Sequence, residues 1–368
     1  MNISFQKLFF AIATTFGLFA IMVLAKTILI PISFALLISF ILYPSARKLE
    51  MWGLNRILAT ALSIFGVIIV LAIGIYVFST QIVGLMSEFS QFQDKILRIF
   101  ADATLFINRN MNFLPHMEKG ELFDNIKSWF AESSGSLVKQ TFNNTASFLT
   151  GLLSTVIFTF LILIYRSGLT QAFAAFFAEN KRENAHKMFK SVQQVGQKYL
   201  VGMIMLMVIL GLANSIGLWI IGVDNPFLFG FLAAVLAIVP YVGTIVGAAI
   251  PIIYTLVSYD SMWMPIAVAL LFWGIQIIES NFLSPKIVGG SLKINAFAAI
   301  LSIIIGASVW GIAGMILFLP VTAMLKVVCE EYEELKPIAL LIGDQNKKES
   351  ENQASRIHSW WKKIKGLF

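Results

Sequence analysis

Long apolar runs separated by short polar segments fill most of the chain between residues 8 and 327. A hydrocarbon core of about 30 Å requires about 20 apolar residues in a helix, with a range of roughly 17–25. Eight segments meet or nearly meet this length: 8–25, 27–43, 57–86, 146–165, 199–221, 227–257, 263–283 and 296–327. The first lacks a convincing signal-peptide cleavage site and leads directly into the second. The pattern therefore predicts an all-α polytopic membrane protein with about eight transmembrane helices.

The composition supports a membrane protein and argues against a nucleic-acid partner. Hydrophobic residues make up 58% of the chain and charged residues only 13%, against roughly 45–50% and 25% in soluble domains. The net charge of +7 comes from basic residues scattered through loops and the tail, without a basic helix that could read bases. The tendency of Lys and Arg to stay on the cytoplasmic side of a membrane explains this excess.

Basic residues are unevenly distributed between the two long polar segments. Segment 166–198 carries Lys187, Lys190 and the pair Lys181-Arg182, whereas segment 87–145 has at least as many acids as bases. This bias predicts that 166–198 is a cytoplasmic basic loop and that 87–145 is extracytoplasmic. Apolar residues recur every three to four positions in 87–145, which indicates amphipathic helices. Both termini are then cytoplasmic.

The sixth apolar run, 227–257, is longer than one untilted helix needs and is interrupted in its middle. The interruption contains Pro240, Tyr241, Gly243 and Thr244. Proline removes a backbone donor and clashes with the preceding turn, while glycine permits conformations closed to other residues. The pattern favours two half-helices, whose free N–H and C=O groups near the membrane midplane can bind a solute or an ion. A simple proline kink is the alternative.

The seventh run ends where polar residues enter the apolar pattern. Glu279 is the only carboxylate inside any of the eight runs, and a charge at membrane depth costs about 2.5–3.5 kcal/mol. Such a residue normally faces a protein interior or a wet cavity, where loss of water favours uptake of a proton. Gln276 and Asn281 add polar groups that apolar packing would not need.

Pro285 and the pair Gly289-Gly290 argue against a continuous helix after Glu279. Lys286 would share a face with Glu279 on an unbroken helix, and an ion pair between them would make Glu279 structural. Without that pair, Glu279 is free to bind a proton, a cation or a polar solute. Two interrupted apolar segments in the C-terminal half are the sequence pattern of a transporter binding site. The candidate pathway residues are Pro240, Tyr241, Gly243, Thr244, Gln276, Glu279, Asn281, Pro285 and Lys286.

These patterns divide the chain into six parts. They are transmembrane helices one to three (1–86), the external segment (87–145), the fourth helix (146–165), the basic loop (166–198), a C-terminal transport core (199–328) and a cytoplasmic tail (329–368). In the last apolar run, Gly306, Gly311 and Gly314 are typical of close helix packing rather than of contact with a substrate.

Motifs for ATP hydrolysis, metal binding and nucleophilic catalysis are absent from the sequence. No Gly-x-x-x-x-Gly-Lys-Ser/Thr loop occurs. His116, His186 and His358 lie outside the apolar runs and far apart, and Cys329 is the only cysteine, so neither a catalytic zinc nor a disulfide framework is expected. We therefore expect no cofactor, no metal and no enzymatic activity.

Four motifs resemble successive signatures of the autoinducer-2 exporter family. They are Asn225-Pro226, residues 238–244 (IVPYVGT), residues 279–289 (ESNFLSPKIVG) and residues 310–320 (WGIAGMILFLP). The resemblance implies an inner-membrane permease with eight spans, no ATPase of its own, broken-helix hairpins in the moving part and a homo-oligomeric, pentameric assembly. The chain departs from the family pattern at Met203, where Gln is common, and at residues 294–296, where Leu-His-Pro is frequent.

Three functions are compatible with these features. The first is a secondary transporter or facilitator that exports a small polar organic solute, with an autoinducer-2-type signal as the single best choice. The second is a sodium(lithium)/proton antiporter that uses Glu279 as the exchanging carboxylate. The third is a membrane scaffold that transports nothing.

Overall fold

A computed structural model of the chain describes residues 5–87, 119–177, 179 and 182–344. These residues form helices joined by short connections, which confirms the all-α prediction. The described part contains eleven helices of seven residues or more: α1 Phe5–Leu24, α2 Lys26–Met51, α3 Arg56–Ser87, α4 Lys119–Ala175, α5 Arg182–Ile221, α6 Pro226–Leu236, α7 Val242–Ser258, α8 Trp263–Ile278, α9 Ala296–Trp310, α10 Ile312–Glu331 and α11 Lys336–Ile342. Six helical segments in this part are long and apolar enough to cross a membrane, so the chain is a multi-pass membrane protein.

Helices α2, α3 and α4 form the first packed group. Leu42, Ile64 and Leu163 meet in its buried centre, and Arg166 of α4 donates to Glu50 of α2 at 2.5 Å. Most of the large apolar side chains of α3 are exposed. This suits a helix that faces lipid, because lipid tails are as apolar as Leu and cover such a surface without cost.

The described part of segment 87–145 is helical, as its apolar spacing indicated, whereas segment 166–198 is more helical than predicted. Residues 119–145 continue into α4, while residues 88–118 lie outside the described residues. The basic segment 166–198 is not a loop, because it consists of the end of α4 and the start of α5 with a short connection between them. Its apolar residues Ala174, Ala185 and Met188 are buried, which stabilises helix over loop. The side of the membrane on which each segment lies stays a prediction.

The run 227–257 folds into an antiparallel hairpin, formed by α6 and α7 and called the first hairpin below. α6 has 11 residues and rises by about 16 Å, roughly half of the hydrocarbon thickness. Gly247 of α7 lies against Ala233 of α6, and one apolar cluster packs both helices on α5 and α8. The predicted half-helices are thus confirmed. The predicted single crossing is wrong because the chain reverses at residues 237–241.

The run 296–327 also reverses, and it forms a second hairpin from α9 and α10 where a single span was predicted. Gly311 separates the two helices at φ +60°, a conformation that glycine adopts without steric cost. Gly306 and Gly314 then bring the two backbones into direct contact. The predicted packing role of these small residues is confirmed, and the predicted single span is wrong because Gly311 turns the chain.

The described part of the C-terminal tail packs at the base of the second hairpin. The side-chain amide of Asn295 donates to the carbonyls of Leu341 and Gly343 at 2.7 and 3.2 Å. Lys326 of α10 is buried and pairs with Glu330 at 2.8 Å. Residues 345–368 of the predicted tail lie outside the described residues.

Candidate functional site

The tip of the first hairpin is held in a strained turn. Tyr241 has φ 63° and ψ −59°, and the N–H of Val242 donates to the carbonyl of Pro240 at 2.7 Å. This is a γ-turn with positive φ, a rare conformation that costs a non-glycine residue on the order of 1–3 kcal/mol. Thr244 Oγ1 supports the turn by donating to the carbonyl of Tyr241 at 2.8 Å. Because such strain is concentrated at functional sites, the tip is a candidate site.

Gly243 allows the tip to close. A Cβ atom at this position would lie 1.7 Å from the carbonyl oxygen of Leu236. From the sequence we expected glycine here for its backbone freedom, but Gly243 does not have a positive φ; the positive-φ glycines of the described part are Gly53, Gly222 and Gly311. The residue is glycine because the start of α7 approaches the end of α6 too closely for any side chain.

A small cavity, called the tip cavity below, lies between the hairpin tip, α5 and α8. Its volume is about 20 Å³, which is room for about one water molecule. It is lined by Leu210, Asn214, Ala233, Ala234, Ala237, Thr244, Phe272, Ile275 and Gln276. The fold therefore brings two of the predicted pathway residues, Thr244 and Gln276, to one place. Asn214 of α5 joins them there.

Asn214 supplies a buried polar atom that no other group satisfies. Its side chain is 5% exposed, and Oδ1 has no hydrogen-bond partner among the described residues. Leaving a buried acceptor unpaired costs about 1–3 kcal/mol. The cost is not needed for packing, because an apolar side chain of similar size would avoid it. The atom is therefore a candidate contact for a polar solute or a water molecule.

Glu279 extends the polar groups from the tip cavity along α8. Gln276 Nε2 donates to Glu279 Oε2 at 2.5 Å, and Ser284 Oγ donates to Glu279 Oε1 at 2.7 Å. Both carboxylate oxygens therefore have a donor, and Gln276 connects the carboxylate to the cavity wall. Among the described residues, the partners of Glu279 do not include Lys286, so the ion pair considered from the sequence does not form.

The helix does not break at Pro285 or at Gly289-Gly290, contrary to the sequence prediction. It continues as π-helix through Glu279–Leu283 and Pro285–Gly289, and the N–H of Ser284 donates to the carbonyl of Glu279 five residues earlier. The wider π turn accommodates a residue that lacks an N–H, and such turns are frequent at functional sites. The helical path ends at Lys293, which adopts a left-handed conformation with φ 50°.

The remaining predicted residues lie away from the tip cavity. Pro240 and Tyr241 form the tip itself, and the side chain of Tyr241 is 63% exposed. Asn281 donates to the carbonyl of Ile277 at 2.8 Å on its own helix, and Pro285 and Lys286 are exposed on the π-helical segment.

Sequence reasoning missed Asn214. It is the only Asn in the run 199–221, and a polar residue inside an otherwise apolar run was a usable signal. A single amide among apolar neighbours is a weaker signal than a carboxylate, and nothing in the sequence alone connects α5 to the residues of the hairpin tip.

Comparison with known proteins identifies the family of the chain. Residues 8–334 match the family model described as AI-2E family transporter. The chain belongs to the AI-2E transporter family. One AI-2E relative is YrrI of Bacillus subtilis (strain 168), which is 25% identical over 311 residues, covering 82% of this chain and 86% of the relative. Another is the AI-2 transport protein TqsA of Escherichia coli (strain K12), which is 24% identical over 334 residues, covering 88% and 91%.

The AI-2E match confirms the family that the motifs indicated, and it extends over both hairpins and the tip cavity. Membership makes the chain a transporter with a small-molecule substrate and a lipid environment. A further AI-2E relative, YueF of Bacillus subtilis (strain 168), is 32% identical over 145 residues, which is 39% of each chain.

In this AI-2E transporter, Tyr259 closes the base of the first hairpin. Its hydroxyl donates to Asp224 Oδ2 at 2.8 Å and accepts from the N–H of Asp224 at 2.9 Å. The residue before α6 is thereby tied to the residue after α7. Burial raises the pKa of Tyr259 to about 12; the hydrogen bond from the Asp224 N–H acts against this rise, and the Asp224 side chain acts with it.

Tyr259→Phe is expected to loosen this base and to change the alkaline stability of the protein. Losing the hydroxyl should cost about 0.5–1.5 kcal/mol at neutral pH. In the wild type, an unfolded tyrosine loses its proton near pH 10, whereas folded Tyr259 keeps it to about 12. Stability therefore falls as pH rises through this window. The Phe variant has no hydroxyl to ionise at this position, so its melting temperature should fall less steeply than that of the wild type between about pH 10 and 12.

The measurement is a melting curve of the purified protein at pH values from neutral to about 12, the upper limit that the pKa of Tyr259 sets. Tyr76→Phe is the matched control, because Tyr76 is 72% exposed on α3. Parallel pH profiles of Tyr259→Phe and wild type would contradict the prediction.

Proposed function

We propose that this AI-2E transporter is a secondary transporter or facilitator that exports a small polar organic solute past the tip of the first hairpin. The observation that carries the proposal is the buried, unpaired Oδ1 of Asn214 in the tip cavity. A buried acceptor without a partner among the described residues is best explained by a water molecule or a polar solute that reaches it. An autoinducer-2-type signal is our choice of solute, supported by the name of the relative TqsA.

Movement of α8 relative to α5 and the first hairpin would open the proposed pathway. The hairpin and α5 are closely joined, since a Cβ on Gly230 of α6 would lie 2.2 Å from Ser215 Oγ of α5. The tip cavity lies between that unit and α8 at Gln276, whereas Val268 and Phe272 of α8 pack directly against the unit. A small outward shift of α8 would enlarge the cavity from the volume of a water molecule to that of a solute. The sequence contains no P-loop, so the proposed movement is not coupled to ATP by this chain.

We also propose that the protein lies in the inner membrane as a homo-oligomer, with a pentamer expected from the family resemblance. The excess of Lys and Arg in residues 166–198 supports a cytoplasmic position for the connection between α4 and α5. Both termini would then face the cytoplasm, and the first hairpin would enter the membrane from the opposite side.

Asn214→Leu is the experiment that tests the proposal. Leu has a similar size and removes the unpaired acceptor, so the folded protein should be as stable as the wild type or more stable. Solute flux into proteoliposomes should nevertheless fall by roughly tenfold or more, because one hydrogen bond to the solute is lost. Loss of flux at unchanged melting temperature separates a transport role from a structural one.

The matched control is Thr255→Val. Thr255 is fully buried in α7, but its hydroxyl donates to the carbonyl of Pro251 on its own helix. This variant should transport like the wild type. Wild-type flux in Asn214→Leu would exclude the tip cavity as the pathway, and absence of flux in the wild type across a panel of small polar solutes would favour a scaffold.

A sodium(lithium)/proton antiporter is the second candidate function. The observation that favours it is the position of Glu279, whose carboxylate reaches the wall of the tip cavity through Gln276. A carboxylate that exchanges a proton for a cation needs such a connection to the pathway. Proton movement driven by sodium or lithium, without movement of an organic solute, would support this function over the first.

A further inference from the structure

A second and much larger cavity lies at the junction of α2, α4 and α5, far along the chain from the first hairpin. Its volume is about 590 Å³, and we call it the basic cavity. Arg166, His186 and Lys190 contribute to its wall. Among the described residues that line it, none is Asp or Glu. The charged residues of the wall therefore favour an anionic ligand, with Lys190 as the free charge among these described residues and Arg166 already paired with Glu50.

Arg166 is positioned to bind such a ligand. One of its nitrogens, Nη2, donates to Glu50 Oε2 at 2.5 Å, and its guanidinium lies 5.1 Å from the ring centre of Tyr43. These contacts fix the orientation of the side chain, which is 17% exposed. Its other terminal nitrogen, Nη1, is buried and has no hydrogen-bond partner among the described residues. A fixed guanidinium with a free N–H donor is well suited to a phosphate oxygen.

The two other basic residues come from one face of α5. His186 Nδ1 lies 2.8 Å from the carbonyl of Arg182, and a carbonyl can only accept, so Nδ1 carries the hydrogen. In the neutral ring the opposite nitrogen, Nε2, is then an acceptor, so His186 adds a polar group to the wall while Arg166 and Lys190 supply the donors for an anion. Lys190 follows one turn later on the exposed surface of the helix. No ion pair involves Lys190 within the described part of the chain.

The rest of the wall is strongly apolar. Phe40, Phe173 and Phe189 line the cavity, and the ring of Phe189 contacts those of Phe40 and Phe173 at centroid distances of 6.5 and 6.1 Å. A free phosphate ion would leave this aromatic surface unused. An amphiphile would cover it with hydrocarbon while its charged group met the basic residues.

We propose that the basic cavity binds an anionic phospholipid, with the phosphate at Arg166 and Lys190 and the start of an acyl chain on the phenylalanine wall. All three helices that enclose the cavity contain segments long and apolar enough to cross a membrane, and basic pockets between such helices are suited to lipid headgroups. Bound lipid would connect α2 to the junction of α4 and α5 and so stabilise this part of the transporter. This site is separate from the tip cavity and doesn't depend on the transported solute.

The test is lipid binding to the full-length protein in neutral detergent, measured by native mass spectrometry with phosphatidylglycerol and, in parallel, phosphatidylcholine. Phosphatidylglycerol is expected to bind more tightly. Lys190→Gln should weaken its binding about fivefold, the effect of one basic residue near a lipid surface. Lys187→Gln is the matched control, because Lys187 is on the same helix, pairs with Glu183 at 2.8 Å and does not line the cavity. It should bind like the wild type.

Arg166→Lys is the second variant. Lysine keeps the charge and can still pair with Glu50, but it lacks the fork that presents Nη1, so phosphatidylglycerol binding should weaken while the melting temperature changes little. Equal affinity for the two lipids, or wild-type affinity in Lys190→Gln, would overturn the proposal. Inorganic phosphate or glycerol phosphate that displaces the lipid at comparable concentration would overturn it in favour of a site for a soluble anion.

Discussion

Gly243→Ala is expected to abolish transport and to lower the melting temperature of the protein. The added Cβ would lie 1.7 Å from the carbonyl oxygen of Leu236. A clash with a flexible side chain can be relieved by rotation, but this one is with the backbone at the end of α6. Overpacking usually costs about 1–3 kcal/mol and sometimes more, and the upper part of this range is expected here. The tip would move away from α5 and α8, and the tip cavity would change shape.

Gly274→Ala is the matched control for this variant. Gly274 lies within α8, and an added Cβ would meet no atom within 4 Å. Alanine at such a helical position is neutral or stabilising by about 0.5–1 kcal/mol. The two quantities to measure are solute flux in proteoliposomes and melting temperature. Both should be lower in Gly243→Ala than in Gly274→Ala. Should Gly243→Ala retain wild-type flux and stability, the close approach of α6 and α7 would not be what holds the tip.

Glu279→Gln is expected to reduce solute flux by roughly tenfold and to remove its dependence on a pH gradient. The wild-type carboxylate accepts hydrogen bonds from Gln276 and Ser284. A glutamine at 279 can keep both contacts, because the Ser284 hydroxyl can accept as well as donate. Both bonds lose the negative charge, however, and a hydrogen bond to a charged group is worth about 1.5–3 kcal/mol against about 0.5–1.5 kcal/mol for a neutral one. The variant also cannot exchange a proton. Flux should be measured in proteoliposomes with and without an imposed pH gradient.

Glu183→Gln is the control for Glu279→Gln. Glu183 is exposed on α5, and its ion-pair partner within the described residues is Lys187, one turn later, so its loss should leave flux and melting temperature unchanged. Wild-type flux with unchanged pH dependence in Glu279→Gln would exclude the carboxylate as the coupling group. Loss of the folded protein would instead identify Glu279 as a structural support for Gln276 and Ser284.

The break in the middle of the first hairpin could be predicted from the sequence, whereas the reversal of the chain there and the second hairpin could not. Pro240 and Gly243 interrupt an apolar run at its middle, and both residue types act on their own backbone, so their effect is local. Gly311 acts locally as well, but glycine is common in membrane helices, and most glycines there serve packing. Nothing in the sequence marks Gly311 as the one that adopts φ +60°.

At Pro285 the sequence predicted a break in the helix that the structure does not have. A proline and two glycines normally end a helix, and the prediction of a break followed that rule. The π-helical turns remove the need for a break, because they widen the backbone where the proline N–H is missing. Packing contributes too, since Gly202 of α5 comes so close to the carbonyl of Ile287 that an added Cβ would lie 2.8 Å from it. Such tertiary support cannot be read from residues 279–289 alone.

Both cavities depend on contacts between residues that are distant in sequence. The tip cavity needs Asn214, Thr244 and Gln276 from three different helices. The basic cavity needs Arg166 of α4 beside Tyr43 of α2 and Lys190 of α5. Spacing predicts which residues share the face of one helix, but it does not predict which faces of different helices meet. The residue types were therefore visible in the sequence, whereas the sites were not.

The two hairpins together leave the two termini in the same position relative to each other, across the membrane, as eight predicted crossings would. Each hairpin returns the chain to the face at which it entered, so replacing one predicted crossing by a hairpin would move everything after it to the opposite face. Two such replacements cancel each other, and the relative position of the two termini is the same for both paths. Only the stretch from the end of α7 to the start of α9 changes face. The ends of the first hairpin, joined through Asp224 and Tyr259, therefore share one aqueous compartment.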